Sequence, residues 1–343
     1  MVSVVIVSWN GRAHLEKCLE SLSAQTYPQV ETILVDNGST DGTVEWVLQR
    51  FPAVRLIANL ENLGFAAANN QAIRQARGDY IATLNNDAWA EPDWLSELVR
   101  AVEWDPRTGM AGSQMVFAQR PDMINSTGIC LDRAGVSWDR AGGEPVEAED
   151  RQAAEIFGPC AGAALYRKAL FDEIGLFDET FFAYLEDVDL AWRARWSGWR
   201  AVYVPSARVY HHHSTTLRES SPSKTYLLAR NKLWLLARNY PMPHLILYLP
   251  LILFYEILSQ LYAGLNRRGR SALRGRMAGL AVLAQALRQR RKLRPRTPRP
   301  AAEVFQLLQP AAPPWKVHRR YRHLSAVNDP PDRGPLRRAP RLW

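Results

Sequence analysis

The sequence predicts an α/β domain, a mostly parallel sheet with helices on both faces, followed by a helical, membrane-associated appendage. Three observations predict it. Apolar, β-branched runs alternate with helix-period patterns through the first third of the chain, which is the signature of βα layering. Each of those runs stops at polar turn-forming residues. The charge is also uneven. The chain has 343 residues and a net charge of +9, yet no Asp or Glu lies between Glu256 and Glu303. Arg267, Arg268, Arg270, Arg274, Arg276 and Arg288 all fall in that stretch, so the positive charge belongs to the C-terminal part.

The elements follow in order. Val2 to Val7 is a continuous apolar run, as expected of a strand buried on both faces; Ser8-Trp9-Asn10-Gly11 ends it. Leu15, Cys18, Leu19 and Leu22 then recur at helical spacing. A second strand, Thr32 to Val35, stops at Asp36-Asn37-Gly38-Ser39-Thr40-Asp41-Gly42-Thr43, where Asp41 or Thr43 can cap the next helix. That helix covers Val44 to Phe51, and Val54 to Ala58 is the third strand. Asn62-Leu63-Gly64-Phe65 opens a helix running to Arg77. The fourth strand, Tyr80 to Leu84, ends at Asn85-Asn86-Asp87. Ligands of such sheets bind beyond the carboxyl ends of the strands, so Trp9, Asp36 and Asp87 converge on one crevice.

Further on, Pro92 to Trp104 reads as a helix and 109–138 as short strands. Gly142 to Ala154 is acidic and reads as a mobile loop. The small residues Gly158 to Ala164 form a turn that lets a ligand approach the backbone. Lys168 to Ile174 and Leu185 to Gly198 read as helices, with a strand at Ala201 to Val204. The second and longer of these helices carries Glu186-Asp187-Val188-Asp189. Three carboxylates within four residues, beside Phe181, Phe182, Tyr184 and Trp192, cost stability unless paired, hydrated or metal-bound. This makes the segment the first place to look for chemistry. His211-His212-His213 follows the strand.

The C-terminal third differs in character. Tyr226 to Tyr240 is a helix rich in Leu and Trp. Leu245 to Leu265 is nearly all apolar but is interrupted by Pro250, Glu256 and Gln260. A helix crossing a bilayer needs about 20 apolar residues. An in-plane or re-entrant helix fits this run better, with the Arg-rich helix after it on anionic headgroups. The expected division is 1–222, a catalytic domain; 223–293, a helical membrane-associated region; and 294–343, a Pro/Arg-rich tail with little fixed structure. The three cysteines, Cys18, Cys130 and Cys160, form no C-x-x-C pair, which argues against a zinc knuckle or a disulfide framework. The start, Met1 to Val7, lacks a basic n-region and reads as a strand rather than a signal peptide. A cytoplasmic location is the simplest fit.

Each motif has an ordinary reading beside a functional one. Asp36 to Gly42 is a turn, and not a calcium loop, because the glycine at position six and the glutamate at position twelve are missing. Functionally, Asp36 accepts hydrogen bonds from a nucleobase or ribose while Trp9 stacks on the base. Asn85-Asn86-Asp87 is either a plain turn or, with a second acid cluster, part of a site where one or two carboxylates and substrate phosphates hold a hard divalent ion. The histidines are either loop decoration or the completion of that ligand set. The arginine cluster beside a strongly apolar helix favours a lipid surface over nucleic acid.

From Val2 to about Ser214 the sequence resembles family 2 glycosyltransferases of the GT-A fold, a Rossmann-like architecture, and in particular the rhamnosyltransferase-like branch. The resemblance is carried by Val-Ser-Val-Val-Ile-Val-Ser-Trp-Asn at the start and Val35-Asp36-Asn37-Gly38-Ser39-Thr40-Asp41-Gly42. It continues through Glu61-Asn62-Leu63-Gly64-Phe65, Leu84-Asn85-Asn86-Asp87, Gly175-Leu176-Phe177-Asp178-Glu179 and Glu186-Asp187-Val188-Asp189-Leu190 with Arg193. It implies that Asp36 contacts the base with Trp9 against it, and that Asn62 and Asn70 line the nucleotide pocket. It implies that Asn85, Asn86 and Asp87 form the D-x-D-like motif, with Asp87 binding Mg or Mn, although Asn85 replaces that motif's first acid. Asp187 becomes the general base, Glu186 its neighbour that orients the acceptor or raises the base's pKa, and His211 a group near the metal and diphosphate. Arg193 is expected to pair with one of these acids on the donor side.

The activity so implied is inverting transfer of a sugar, rhamnose being the branch's example, from a nucleotide-diphosphate donor. The acceptor would be a hydroxyl of a lipid-linked or polysaccharide molecule in cell-envelope synthesis, at the inner membrane face, with no role for nucleic acid. Two readings compete. One is an inactive, nucleotide-sugar-binding membrane scaffold. The other is a nucleotidyltransferase, which would need a Gly-rich basic loop after the first strand, a part Ser8-Trp9-Asn10-Gly11-Arg12 fills poorly.

Overall fold

The computed structural model describes residues 1–148, 152–212, 221–293, 295, 298–313, 315–317 and 319. The third histidine of the triplet, part of the acidic loop and most of the Pro/Arg-rich tail lie outside the described residues. By chain contacts the protein divides into two units. The first comprises Met1–Cys130, Trp138–Thr216 and Arg294–Leu307; the second comprises Leu131–Ser137, Leu217–Leu293 and Leu308–Trp343.

The first unit opens with the predicted alternation: β1 (Val2–Ser8), α1 (Arg12–Ser23), β2 (Val30–Asp36), α2 (Thr43–Arg50), β3 (Arg55–Ala58), α3 (Gly64–Gln75) and β4 (Tyr80–Leu84). Then come β5 (Ala88–Ala90), α4 (Trp94–Glu103), β6 (Thr108–Phe117) and β7 (Arg120–Ser126). Short strands β8 (Ile129–Leu131), β9 (Ser137–Asp139) and β10 (Ala154–Glu155) precede β11 (Ala163–Arg167), α5 (Lys168–Ile174), α6 (Glu186–Trp196) and β12 (Arg200–His211).

The main sheet runs β10-β12-β6-β11-β4-β1-β2-β3, with β5 on β12 and β7 on β6. Its β4-β1-β2-β3 half is parallel. Alternate side chains of β1 serve opposite faces, as the strand period requires. Val2, Val4 and Ile6 join a core with Leu15, Cys18 and Leu19 of α1 and Leu95 and Leu98 of α4. Val5 joins a second core with Ala66, Ala72 and Ile73 of α3, Leu170 of α5 and Leu190 of α6. Helices therefore cover both faces, and a continuous apolar run is what such a strand needs.

Two features depart from the expectation. The turn expected at Gly158 to Ala164 runs into β11, which is antiparallel to both β4 and β6 and makes the sheet mixed. Its sequence, Ala-Ala-Leu-Tyr-Arg, has little β-branched content. Pairing on both edges, not local preference, makes it a strand. The strand expected at Ala201 to Val204 is twelve residues long, because β6 guides it as far as His211.

In the second unit, α7 (Pro222–Asn239), α8 (Met242–Leu265), α9 (Gly269–Ala281) and α10 (Leu283–Leu293) follow one another. Ser221 caps α7 by accepting from Lys224 N, with Pro222 at the first turn, the pairing favoured at helix starts. The α8 helix continues through Pro250 instead of breaking there; packing of Ile252 and Tyr255 offsets the lost backbone bond. A Cβ on Gly275 would sit 2.3 Å from the Tyr226 carbonyl oxygen, and one on Gly279 would sit 3.0 Å from that of Arg230. These glycines let the α9 and α7 backbones touch. Beyond them, α11 (Ala301–Gln306) returns to the first unit's share of the chain.

Candidate active site

Three neighbouring parallel strands end side by side and build the floor of a crevice. Ser8, at the end of β1, is in register with Asp36 at the end of β2. Just past β4, the Asn86 amide donates to the Ser8 hydroxyl at 3.2 Å. Gly11 makes room for it, since a Cβ there would lie 1.9 Å from Asn86 Nδ2.

On the β2 side, Asp36 is buried and its Oδ2 accepts from Ser39 N at 3.0 Å. Its Oδ1 is buried and has no hydrogen-bond partner among the described residues. A buried carboxylate oxygen left open at a strand end is a place for a ligand donor, since unmet acceptors are costly. Trp9 is half-buried beside it. Asn37, not singled out from the sequence, braces the neighbouring loop. Its amide donates to Asn62 Oδ1 at 2.9 Å and to the Gly64 carbonyl at 3.2 Å, while its oxygen accepts from Leu63 N. Asn62 Oδ1 also accepts from Gly64 N, so Asn62 shapes the turn that enters α3.

On the β4 side, the buried pair Asp87 and His211 meets at 3.1 Å, Oδ1 to Nε2. Asn125 of β7 accepts from His211 Nδ1 at 2.8 Å. Nε2 then faces the Asp87 carboxylate, with Asn85 Nδ2 at 3.2 Å. Fixing a histidine's far nitrogen in this way is the usual preparation for a metal or a proton on the near one. A carboxylate oxygen and an imidazole nitrogen side by side are ligand types that a divalent ion takes, so the residues fit such an ion in part. Among the described residues no group of three or more His, Cys, Asp or Glu could hold one. Asp87 and His211 would supply two ligands, leaving the remainder to substrate phosphates and water, as small hard cations accept.

The third corner is the start of α6. Asp187 Oδ2 accepts from Ala161 N at 3.2 Å and Oδ1 from Val188 N at 2.8 Å. Burial, with a further push from the Asp139 charge, outweighs the Ala161 and Val188 amides and raises Asp187 to about 6. Glu186 is buried too. Burial and then the adjacent Asp187 push it well above the carboxylate range, and its Oε2 has no hydrogen-bond partner. Burial holds both carboxyls toward their neutral forms, Glu186 with the added push of the adjacent Asp187. The turn before the helix is strained: Phe182, Tyr184 and Leu185 all have φ between +63° and +70°, a conformation non-glycine residues rarely adopt outside functional sites. Gly64 accommodates it, because a Cβ there would strike Phe182 at 2.6 Å.

One short segment joins the two sides. The Gly162 carbonyl accepts from Asn85 N at 2.9 Å, and the preceding residue, Ala161, donates to Asp187. The small-residue turn thus bonds the end of β4 through Gly162 and the start of α6 through Ala161, two successive residues.

Two predicted site residues are occupied elsewhere. Arg193 bonds neither Glu186 nor Asp187. Its Nε pairs with Asp189 at 2.8 Å, both side chains at most 3% exposed, and its other nitrogens donate to the carbonyls of Ile174, Gly175 and Leu176. Helical spacing explains the error: Asp189 lies four residues earlier on the same face. Asn70 is 1% exposed. It donates to the Phe177 carbonyl and Glu179 and accepts from Phe177 N, so it ties α3 to the Phe177 loop and does not line the crevice. Conversely, Asn125, Asn37 and the Ala161 amide were missed. Asparagines in polar turns carry no special pattern, and a backbone donor carries none at all.

Comparison with known proteins supplies the frame. The family model "Glycosyl transferase family 2" matches residues 3–175. The N-acetylglucosaminyl-diphospho-decaprenol L-rhamnosyltransferase of Mycobacterium tuberculosis is 35% identical over 243 residues, 63% of this chain and 78% of that protein. An O-antigen biosynthesis protein of Myxococcus xanthus is 30% identical over 263 residues, 71% of this chain but 20% of its own length. Among solved structures, a mannosyltransferase from Pyrobaculum calidifontis in complex with GDP-Man and Mn2+ superposes with a TM-score of 0.51 at 19% identity. That match covers 95% of this chain and 86% of that one, a likeness of fold.

Proposed function

The chain belongs to glycosyl transferase family 2, a glycosyltransferase of GT-A fold, and on that premise we propose that it moves a sugar with inversion from a nucleotide-diphosphate donor to a hydroxyl of a lipid-linked or polysaccharide acceptor. The rhamnosyltransferase relative makes a deoxyhexose such as rhamnose the first donor to test. The work site is the cytoplasmic face of the cell membrane, in envelope glycan synthesis. The single observation that carries this reading is the Ala161–Gly162 turn, bonded to Asp187 on one side and Asn85 on the other.

The roles follow from the geometry. Asp36 Oδ1 accepts from the base and Trp9 covers its ring. Asn62, Asn85 and Asn86 shape the pocket floor. A divalent Mg or Mn held by Asp87 and His211 would neutralise charge gathering on the diphosphate. The acceptor hydroxyl attacks the anomeric carbon, and its proton passes to the Asp187 carboxylate. The bond from the anomeric carbon to the phosphate oxygen breaks, and its electron pair leaves with the diphosphate. Attack opposite the leaving group inverts the centre. Glu186, pushed toward its neutral form by burial and then by the adjacent Asp187, stands next to the base. Correct protonation at neutral pH is what a general base needs.

The test is transfer from dTDP-rhamnose and other nucleotide sugars to a polyprenyl-diphosphate sugar, with and without Mn2+. Asp187→Asn is expected to lower kcat by about 10²–10⁴-fold, the usual worth of a positioned base, with little change in donor affinity. Full turnover by that variant sinks the assignment.

A further inference from the structure

The second unit is built inside out for a soluble helical bundle. Along α8 the buried side chains are Ile252, Tyr255 and Ala263, with Glu256 and Gln260 on the same inward side. The outward side is apolar: Ile246, Leu249, Leu253, Phe254, Ile257 and Leu261 are each 45–65% exposed. The face continues onto α9, where Leu273, Met277 and Leu280 are more than half exposed at helical spacing. Monomeric soluble proteins seldom leave so large an apolar patch in water.

The polar atoms that face inward are neutralised there. Glu256 receives Lys232 Nζ of α7 at 2.8 Å and Arg276 Nε of α9 at 2.8 Å, and Arg276 also donates to Gln260. Gln260 Nε2 in turn bonds the Gly269 carbonyl. Three helices are pinned by one buried carboxylate.

This cluster decides how a bilayer can receive α8. The helix has 24 residues and is long and apolar enough to cross. Crossing would carry Glu256, with Lys232 and Arg276 attached, toward the bilayer centre, where ionised groups cost at least ~2.5–3.5 kcal/mol each. It would also drag α9, whose 13 residues reach only about 20 Å at 1.5 Å per residue, short of a ~30 Å hydrocarbon core. Arg270 and Arg274 would follow it in. Lying flat removes both costs. The apolar face then enters the acyl region by ~5–10 Å, and the charged cluster stays on the protein side.

The rim supplies the complementary charge. Arg267, Arg270 and Arg274 are exposed, and their guanidinium groups make no hydrogen bond or ion pair among the described residues. Arg274 lines a cavity of about 250 Å³ with Pro222, Ser223, Tyr226 and Ser271, a setting of guanidinium and hydroxyls suited to a phosphate headgroup.

We propose that the second unit is a monotopic wedge, in which α8 and α9 embed one shared apolar face in a single leaflet of an anionic bilayer, with α8 in the membrane plane. This rests on the lipid-surface reading above and gives it an orientation and a depth. The test uses the full chain on preformed vesicles of mixed anionic and neutral phospholipid. Ile246→Cys, Phe254→Cys and Leu261→Cys are labelled with an environment-sensitive fluorophore, with the unsubstituted chain labelled in parallel as the blank. Nitroxide lipids carrying the quencher near the headgroup or deep in the tail then report depth. The wedge predicts stronger quenching by the shallow nitroxide at all three positions. Quenching that deepens at Phe254 relative to both ends means a crossing helix and overturns it. Labels shielded equally without lipid, with a dimer in sedimentation, assign the face to a second copy and also overturn it. Arg270→Ala with Arg274→Ala is expected to weaken binding to anionic vesicles by about 30-fold and to neutral ones little, from roughly 1 kcal/mol per arginine near an anionic surface. Donor hydrolysis is measured on the same samples. Its loss with intact quenching sinks the transferase reading alone, and its retention without quenching sinks only the wedge.

Discussion

At Asp187 the chemistry and the cost come from the same burial. The carboxylate sits among backbone amides, yet desolvation and the neighbouring Asp139 charge lift it to about 6. In the proposed mechanism the ionised form is the base, so the rate of transfer is expected to fall as pH drops below that value. The acidic limb of kcat/KM is expected near pH 6, about tenfold per unit beneath it, with the apparent value belonging to the Glu186–Asp187 pair. Stability runs the other way. A carboxyl raised in the folded state above its unfolded value favours folding at low pH, and that benefit is lost as pH rises from about 4 through 6. Asp187→Asn should therefore melt higher than the parent at pH 7.5 while being inactive. A lower Tm for the variant there contradicts the sign. His211 shows a different economy. Its register within the histidine triplet was open in the sequence, and Asn125, 86 residues earlier, settles which imidazole faces Asp87.

At the scale of elements, α6 shows how one helix serves both fold and reaction. Its first turn carries Glu186 and Asp187 toward the crevice, and one turn later Asp189 faces Arg193 in the interior. The guanidinium then bonds three successive carbonyls, Ile174 to Leu176, and so fixes the loop that leads into the strained residues before the helix. Arg193→Ala removes the ion-pair partner of the buried Asp189. It is expected to cost about 3–5 kcal/mol by urea denaturation. Replacing both partners by apolar residues of similar size should return much of that, and a single variant as stable as the parent removes the locking role. The β11 strand was illegible for the opposite reason. Its small residues carry no strand pattern, and its place between β4 and β6 depends on segments far away in the chain. The helices of the first unit were legible because their buried stripes, such as Leu15, Cys18, Leu19 and Leu22 in α1, are a local period.

For the whole molecule, ligand binding should register as stability. A donor binding only the folded chain at a hundred times its Kd contributes about 2.7 kcal/mol, which for a domain of this size corresponds to roughly 5–10 °C in Tm. The expected outcome is a rise of that order with a nucleotide-diphosphate sugar and Mn2+, and a smaller one with either alone. Asp36→Ala is expected to abolish the donor's share, because the buried Oδ1 is the open acceptor. An undiminished shift in that variant moves the base-binding site elsewhere. The two units bury different things: the first hides its apolar residues on both faces of a sheet, while the second pairs Glu256 with Lys232 and Arg276 on its inner side and turns apolar residues of α8 and α9 outward.

The sequence by itself determined the alternating elements, the polar ends of β1, β2 and β4, and the acid pair at the head of α6. These depend on residue period and turn chemistry, which act over a few neighbours. Tertiary structure alone decided that His211 reaches Asp87, that Ala161 and Gly162 join Asp187 to the end of β4, and that Arg193 and Asn70 are spent on packing. It also decided which side of α8 is polar toward its neighbours. Those outcomes depend on strand order and helix crossing, where hydrogen bonds and charges find partners dozens of residues away and no local pattern announces them.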